Sequence, residues 1–202
     1  MSQPFDSWDD RYRTADFYYG LEPNDFLKEH AQAIRSGGSV LCLAEGEGRN
    51  AVFLAGLGHV VTAVDGSRVG LEKLAGLARS RGLRIESICA DLADFDIGSQ
   101  RWDAIVSIWC HLPSALRARV HQQVVTGLRP GGYLILEAYT PQQLERKTGG
   151  PPDVDRLMTL SALQRELAGL VFEIGVEKDR TIAEGRGHLG PSAVVQVLAR
   201  KA

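Results

Sequence analysis

The sequence predicts an α/β fold, a doubly wound, mostly parallel seven-stranded sheet ending in a C-terminal antiparallel hairpin. Two observations carry this. Short apolar runs of β type alternate with runs at helical spacing through most of the chain. The last two β-type runs are joined by a link too short for a crossover helix, so they pair antiparallel.

In chain order, PNDFLKEHAQAI reads as a helix with Asn24 as its cap. SVLCLA (39–44) is the first strand, and NAVFLAGLG follows with helical spacing and a glycine stop. VVTAVD (60–65) is the second strand. VGLEKLAGLARSRG is the next helix, with Leu71, Leu74 and Leu77 on one face. RIESICAD (84–91) and WDAIVSIWC (102–110) are the third and fourth strands. SALRARVHQQVVTGL is a helix ending at RPGG, and YLILEAYT (133–140) is the fifth strand. Ser161 and Gln164 suggest a capping box for SALQRELAGL. LVFEIGVEKDRTI and SAVVQVLARK, linked by AEGRGHLGP, form the hairpin. Strands this apolar expect helices on both faces.

A chain of 202 residues with 44% hydrophobic and 24% charged content fits one domain, residues 1–202. The formal charge of -2 argues against nucleic acid as a partner, because phosphate contacts need a basic face. Arg79, Arg81 and Arg84, the most basic short run, read as a solvated helix end. Cys42, Cys89 and Cys110 are odd in number and widely spaced, as expected of reduced thiols in a cytoplasmic protein. The polar opening MSQPFDSWDD does not look like a signal peptide, and no apolar run approaches the roughly 20 residues that span a bilayer. The histidines are scattered without ligand spacing, so no metal site is expected.

The stretch CLAEGEGRN (42–50) follows the first strand, where open α/β sheets bind ligands. Gly46 and Gly48 would let backbone approach a ligand. GEGRNA also fits the dinucleotide pattern G-x-G-x-x-G/A through Gly46, Gly48 and Ala51. Asp65 ends the second strand about 20 residues on, where an acid grips ribose hydroxyls. Asp91 ends the third, near where an adenine amino group would lie. Glu45 and Glu47 separate the cofactors. The pyrophosphate of NAD would meet both carboxylates at short range. S-adenosylmethionine has no phosphate and is a net cation, so an acidic rim suits it. More weight rests on Glu45, since Glu47 can point to solvent.

VLCLAEGEGRN, VTAVDGS, ADL, WDAIVSI and LRPGGYLILE resemble the successive motifs of class I S-adenosylmethionine-dependent methyltransferases. GRNAVFLAGLGHVVTAVD, WDDRYR, FYYGLEPNDFL and the ending VLARK are similar to the tellurite-resistance branch and its uncharacterised bacterial relatives. The usual first motif has an acid where Cys42 stands and a first glycine where Ala44 stands, with Glu45 offering charge from another position. The resemblance implies that Ala44, Glu45, Gly46, Gly48 and Asn50 belong to the cofactor loop, the first three against the methionine part. It places Asp65 on the ribose, Gly66 and Ser67 beside ribose and adenine, and Asp91 and Leu92 on the adenine. Trp109, Cys110 and His111 would line the site near the sulfonium. It also implies that residues 1–36 form a lid and helix over a core of 37–202, with Trp8, Tyr12, Phe17, Tyr18 and Tyr19 as the lid's aromatic cluster. A hydrophobic flap packed on the domain is the equal alternative.

Methyl transfer from a sulfonium is an in-line displacement that needs alignment and a dry site. His111 is either an acceptor-site base or a histidine that bonds a local carbonyl. Arg180 and His188 would suit an anionic acceptor. Arg180 best matches a basic group near the C-terminus of the tellurite-resistance branch. TGGPP (148–152) would form the opposite wall. The expected protein is a monomeric or homodimeric methyltransferase acting on a small acceptor, possibly an oxyanion or other soft nucleophile. The alternatives are an NAD-dependent oxidoreductase and a non-catalytic S-adenosylmethionine-binding protein.

Overall fold

In the computed structural model, which describes residues 5–202, seven strands form one sheet in the order β3-β2-β1-β4-β5-β7-β6. Residues 1–4, the start of the expected lid, lie outside the described residues. The strands are β1 (Ser39–Leu43), β2 (Val60–Asp65), β3 (Glu86–Cys89), β4 (Trp102–Ile108), β5 (Leu128–Tyr139), β6 (Leu170–Glu184) and β7 (His188–Lys201). β1 pairs in parallel with β2 and β4, and the parallel run continues to β3 and β5. β7 pairs antiparallel with β5 and β6, as the hairpin expectation requires.

Six α-helices accompany the sheet: α1 (Phe5–Tyr12), α2 (Asp25–His30), α3 (Arg49–Gly56), α4 (Arg68–Ser80), α5 (Ser114–Gly127) and α6 (Leu160–Glu166). Two large apolar clusters cover the sheet, beside a small one of Tyr139, Leu157, Ile182 and Val194. One joins Leu41, Ile105 and Leu134 to Val120 and Val124 of α5 and Leu163 of α6. The other joins Val40, Val106 and Ile135 to Leu27, Leu54 and Leu74 of α2, α3 and α4. β1 and β4 are buried almost throughout because helices cover both faces. Among the described residues, no helix is long and apolar enough to cross a membrane.

Local expectations differ from the structure at four places. Asn24 caps α2, accepting from Leu27 N at 3.0 Å, but the helix tightens to a 3-10 turn at Ala31–Ala33. β3 is shorter than 84–91 and largely exposed, because it is the edge strand and only one side meets a neighbour. α6 starts earlier than a Ser161 cap would place it, since Thr159 Oγ1 accepts from Ala162 N at 3.2 Å. The hairpin strands run through most of AEGRGHLGP, leaving a tight turn between Glu184 and His188.

Going outward from the sheet centre, the chain builds β1, β2 and β3 to one side and β4 and β5 to the other. The reversal between β1 and β4 opens a crevice at their carboxyl ends. The loop after β1 is shaped by packing as much as by ligand access. Gly48 sits at φ 93, and a Cβ there would stand 2.4 Å from Leu74 Cγ on α4. Its bareness lets α3 and α4 meet. We predict that Gly48→Ala lowers unfolding stability by about 2–4 kcal/mol, combining overpacking with left-handed strain. Urea denaturation checks this, and a loss under about 0.5 kcal/mol would show that Leu74 yields freely.

Candidate active site

A cavity of about 740 Å³ opens at the crevice. Ala44, Glu45, Gly48 and Asn50 come to it from the loop after β1 and the start of α3, Asp65 and Gly66 from the end of β2, and Ala90, Asp91 and Leu92 from beyond β3. Trp109, Cys110 and His111 follow β4, and His188 begins β7. α1 and the Tyr18–Gly20 stretch bound one side, and Gly149–Pro152 another. Most of the residues expected from sequence therefore converge.

Gly46 and Ser67 do not line it. Tyr12 covers Gly46, where a Cβ would lie 2.6 Å from the tyrosine hydroxyl oxygen. Ser67 is buried as the cap of α4, its hydroxyl accepting from Gly70 N at 3.0 Å and donating to Asp9. Arg180 lies outside the cavity too. Its guanidinium donates to both oxygens of Glu137, at 2.8 and 2.9 Å, and to Asp25. The acceptor role expected of Arg180 is corrected on that ground, because Glu137 is wholly buried and needs the counter-charge.

Asp65 binds the loop as well as facing the cavity. Oδ2 accepts from Gly46 N at 2.8 Å and Oδ1 from Ser67 N at 2.7 Å. Burial raises its pKa, against these two hydrogen bonds. Asp91 Oδ1 accepts from Ala93 N at 2.8 Å. Asn50 Oδ1 accepts from Asn24 N at 2.9 Å, tying α2 to the loop. Ala44 adopts φ 49, a left-handed conformation that costs about 1–2 kcal/mol for a residue with a Cβ.

The two loop glutamates divide. Glu47 does not reach solvent: it pairs with Lys73 and accepts from Tyr18 N at 2.7 Å and Tyr19 N at 3.4 Å. Its charge holds the N-terminal segment down. Glu45 accepts from Ala51 N at 2.8 Å in the first turn of α3, and the Cys42 thiol lies against it. Burial pushes its pKa up to about 7. Glu45 thus places its carboxyl beside the Cys42 thiol, behind the loop.

Trp109 stands at φ 58, and its strain is held by tertiary contacts. Its backbone N donates to Glu137 O at 2.9 Å, its Nε1 to Glu184 Oε2 at 2.7 Å, and its ring stacks on Tyr139 with centroids 4.5 Å apart. His111 has both nitrogens engaged. Nε2 accepts from Tyr139 N at 3.0 Å, so Nδ1 carries the proton and donates to Trp109 O at 3.0 Å. Burial lowers its pKa to about 4, so it is neutral and has no free lone pair. The local-carbonyl reading of His111 is the one the geometry carries. Cys110 is a protonated thiol, pushed up to about 12 by burial.

His188 is different. It is buried against Tyr19, Trp109 and Tyr139, with ring centroids 4.7, 4.7 and 5.3 Å away, and its Nδ1 has no partner. Burial pushes its pKa well below the usual value, so the ring is neutral. Trp8, Tyr12, Tyr18 and Tyr19 do form a linked aromatic cluster, and Tyr19 brings it onto His188. Sequence reasoning gave no role to Arg11 or Arg49, although Arg11 sits three residues from Trp8 in WDDRYR.

The strand order and the terminal antiparallel hairpin are those of the class I methyltransferase fold, with an acid-lined crevice at the carboxyl ends of its strands. Residues 40–132, which build most of the crevice, match the family model described as a methyltransferase domain. No curated protein sequence matches the chain. Among solved structures it is similar to one described under conversion of a disulfide bond into a thioacetal group during echinomycin biosynthesis. That pair shares 20% identity and a TM-score of 0.78, covering 98% of this chain and 92% of the other. TehB from Haemophilus influenzae gives 21% identity and a TM-score of 0.71, over 98% of this chain and 66% of TehB. The N-methyltransferase NodS from Bradyrhizobium japonicum, solved with S-adenosyl-l-homocysteine, gives 17% and 0.71, over 98% and 97%.

Two outcomes follow from this geometry. Arg180→Ala strands the buried Glu137 charge and lowers stability by about 3–5 kcal/mol. It shifts the denaturation midpoint strongly, whereas loss of turnover at unchanged stability would return Arg180 to the acceptor site. Glu45 shapes the pH profile. Its native pKa, about 7, lies above its unfolded value of 4.5, so the native state holds a proton the unfolded chain releases. Its stabilising contribution is full below pH 4.5 and is lost as pH rises to about 7. The wild-type minus Glu45→Gln difference in unfolding free energy should slope downward across that window and be flat outside it.

Proposed function

We propose that the protein transfers the methyl group of S-adenosylmethionine to a small, soft nucleophile held between His188, Tyr19 and Trp109. The observation that supports this best is the division of the cavity. Carboxylates line its sheet side, aromatic rings line the other, and both nitrogens of His111 are already engaged.

The residues suit the cofactor. Each Asp65 oxygen accepts one backbone N–H, which leaves a lone pair on each for a ribose hydroxyl. Asp91 and Leu92 offer a polar and an apolar contact to adenine. Glu45 supplies negative charge near a cationic methionine part, more fully as pH rises through about 7. When bound, S-adenosylmethionine supplies a methyl carbon made electrophilic by a sulfonium. The chain aligns the acceptor with that carbon and keeps water out. Trp109, fixed by Glu184 and Tyr139, is the rigid wall, and the Tyr18–Tyr19 segment is the cover.

His111 takes no proton in this arrangement, and neutral His188 can only hydrogen-bond the acceptor or orient it. The acceptor therefore carries its own lone pair at working pH, as a sulfide, thiolate or oxyanion does. This reading is of one domain over 1–202, a cytoplasmic monomer or homodimer acting on a small molecule rather than nucleic acid.

Calorimetry should show S-adenosylhomocysteine binding, with NAD much weaker. Equal or tighter NAD binding would sink the reading. Asp65→Ala should weaken the cofactor by about 1–3 kcal/mol, as expected when a buried hydrogen-bond partner is lost. A methyl-transfer screen over oxyanions, thiols, amines and carboxylates should find turnover with a soft nucleophile. Turnover confined to amines protonated at the assay pH would overturn the soft-nucleophile reading.

A further inference from the structure

The cations around the cavity are committed, with one exception. Arg49 donates to Glu184 at 2.5 Å and to Glu22 O at 3.2 Å. Lys73 pairs with Glu47 and donates to three backbone carbonyls. Arg180 is engaged by Glu137 and Asp25. Arg11 lines the cavity, yet among the described residues it has no carboxylate within ion-pair distance. Its guanidinium lies 4.5 Å from the Trp8 ring centroid and 5.3 Å from that of Tyr18, and Nη1 donates to the Tyr19 hydroxyl at 2.9 Å.

We propose that Arg11 is the anion-binding residue of the cavity and that it takes a carboxylate, either that of the cofactor's methionine part or that of an anionic acceptor. This rests on the methyltransferase reading above. An arginine has five N–H donors in a fork, and here one is accounted for. Two aromatic rings and a tyrosine hydroxyl restrain its plane, so a bidentate partner is met by a pre-organised group. A half-buried guanidinium without a counter-ion is costly, and a ligand carboxylate removes that cost. His188 supports the same ligand. Its ring lines the same cavity and packs on Tyr19, the residue that also anchors Arg11, so it bounds the same side of the cavity. The loop carboxylate Glu47 is held by Lys73 and the Tyr18 and Tyr19 amides and does not compete.

The test is calorimetry on wild type, Arg11→Gln and Arg11→Lys with three probes. S-adenosylhomocysteine carries the carboxylate, and 5′-methylthioadenosine keeps the nucleoside but lacks the amino-acid end. Mercaptoacetate against 2-mercaptoethanol, each added to the S-adenosylhomocysteine complex, reports the acceptor side. If the carboxylate is the cofactor's, Arg11→Gln weakens S-adenosylhomocysteine about 10- to 100-fold, 5′-methylthioadenosine stays within about twofold, and Arg11→Lys recovers part of the loss. If it is the acceptor's, Arg11→Gln leaves S-adenosylhomocysteine unchanged and selectively weakens mercaptoacetate. Equal losses for S-adenosylhomocysteine and 5′-methylthioadenosine, or no loss with any probe, would overturn the proposal, since both are what a purely structural arginine gives. Failure of wild type to bind either nucleoside would instead overturn the methyltransferase reading itself.

Discussion

Two carboxylates, Glu137 and Glu184, sit buried where the C-terminal hairpin crosses the end of the sheet, and the site is arranged around them. Glu137 accepts from Arg180, Gln196 and Asn24, and Glu184 accepts from Arg49, Trp109 and the same Asn24. Buried charge must be met by partners or it destabilises the fold by several kcal/mol. Meeting it here draws together α2, the start of α3, the residue after β4 and both hairpin strands. Trp109 and Arg49 are oriented by Glu184, so the wall of the cavity and the helix behind its acidic loop share one anchor. The hairpin that distinguishes this sheet from other doubly wound sheets is also the element that holds the site in place.

Charge in the loop after β1 has two separate uses. Glu47 looks in sequence like a ligand-facing acid, but Lys73 and two amides bind it to the N-terminal segment. Among the described residues, Glu45 has no such cation bound to it, and burial moves its titration to near neutrality. Rejection of a pyrophosphate by this loop therefore rests chiefly on Glu45. The same economy appears among the basic groups, where most cations balance buried acids and Arg11 stands apart over its aromatic rings.

The sheet was legible because strand and helix periodicities differ and because AEGRGHLGP is too short for a crossover. Strand edges were less so, since β3 ends where exposure rather than composition changes. Among site residues, Asp65, Asp91 and Trp109 were legible from their places at strand ends, which the topology brings to one crevice. Gly46, Gly48 and Ser67 misled in part, because a glycine in a loop looks the same whether a ligand or a side chain approaches it. In this fold Tyr12 and Leu74 approach first. The aromatic cluster of residues 8–19 was visible as composition, but its seating on His188 is a contact across most of the chain.

What the sequence determined by itself is the fold class, the crevice and the identity of the acids that reach it, because these depend on local periodicity and on which residues end each strand. Only the tertiary structure decided which charges are available. Arg180 and His188 are near neighbours in the hairpin sequence, yet one is locked to Glu137 and the other lines the cavity with its Nδ1 buried and unpartnered. Pairing of buried charge depends on residues more than a hundred positions apart, such as Asn24 and Glu137, and no short stretch of sequence records it.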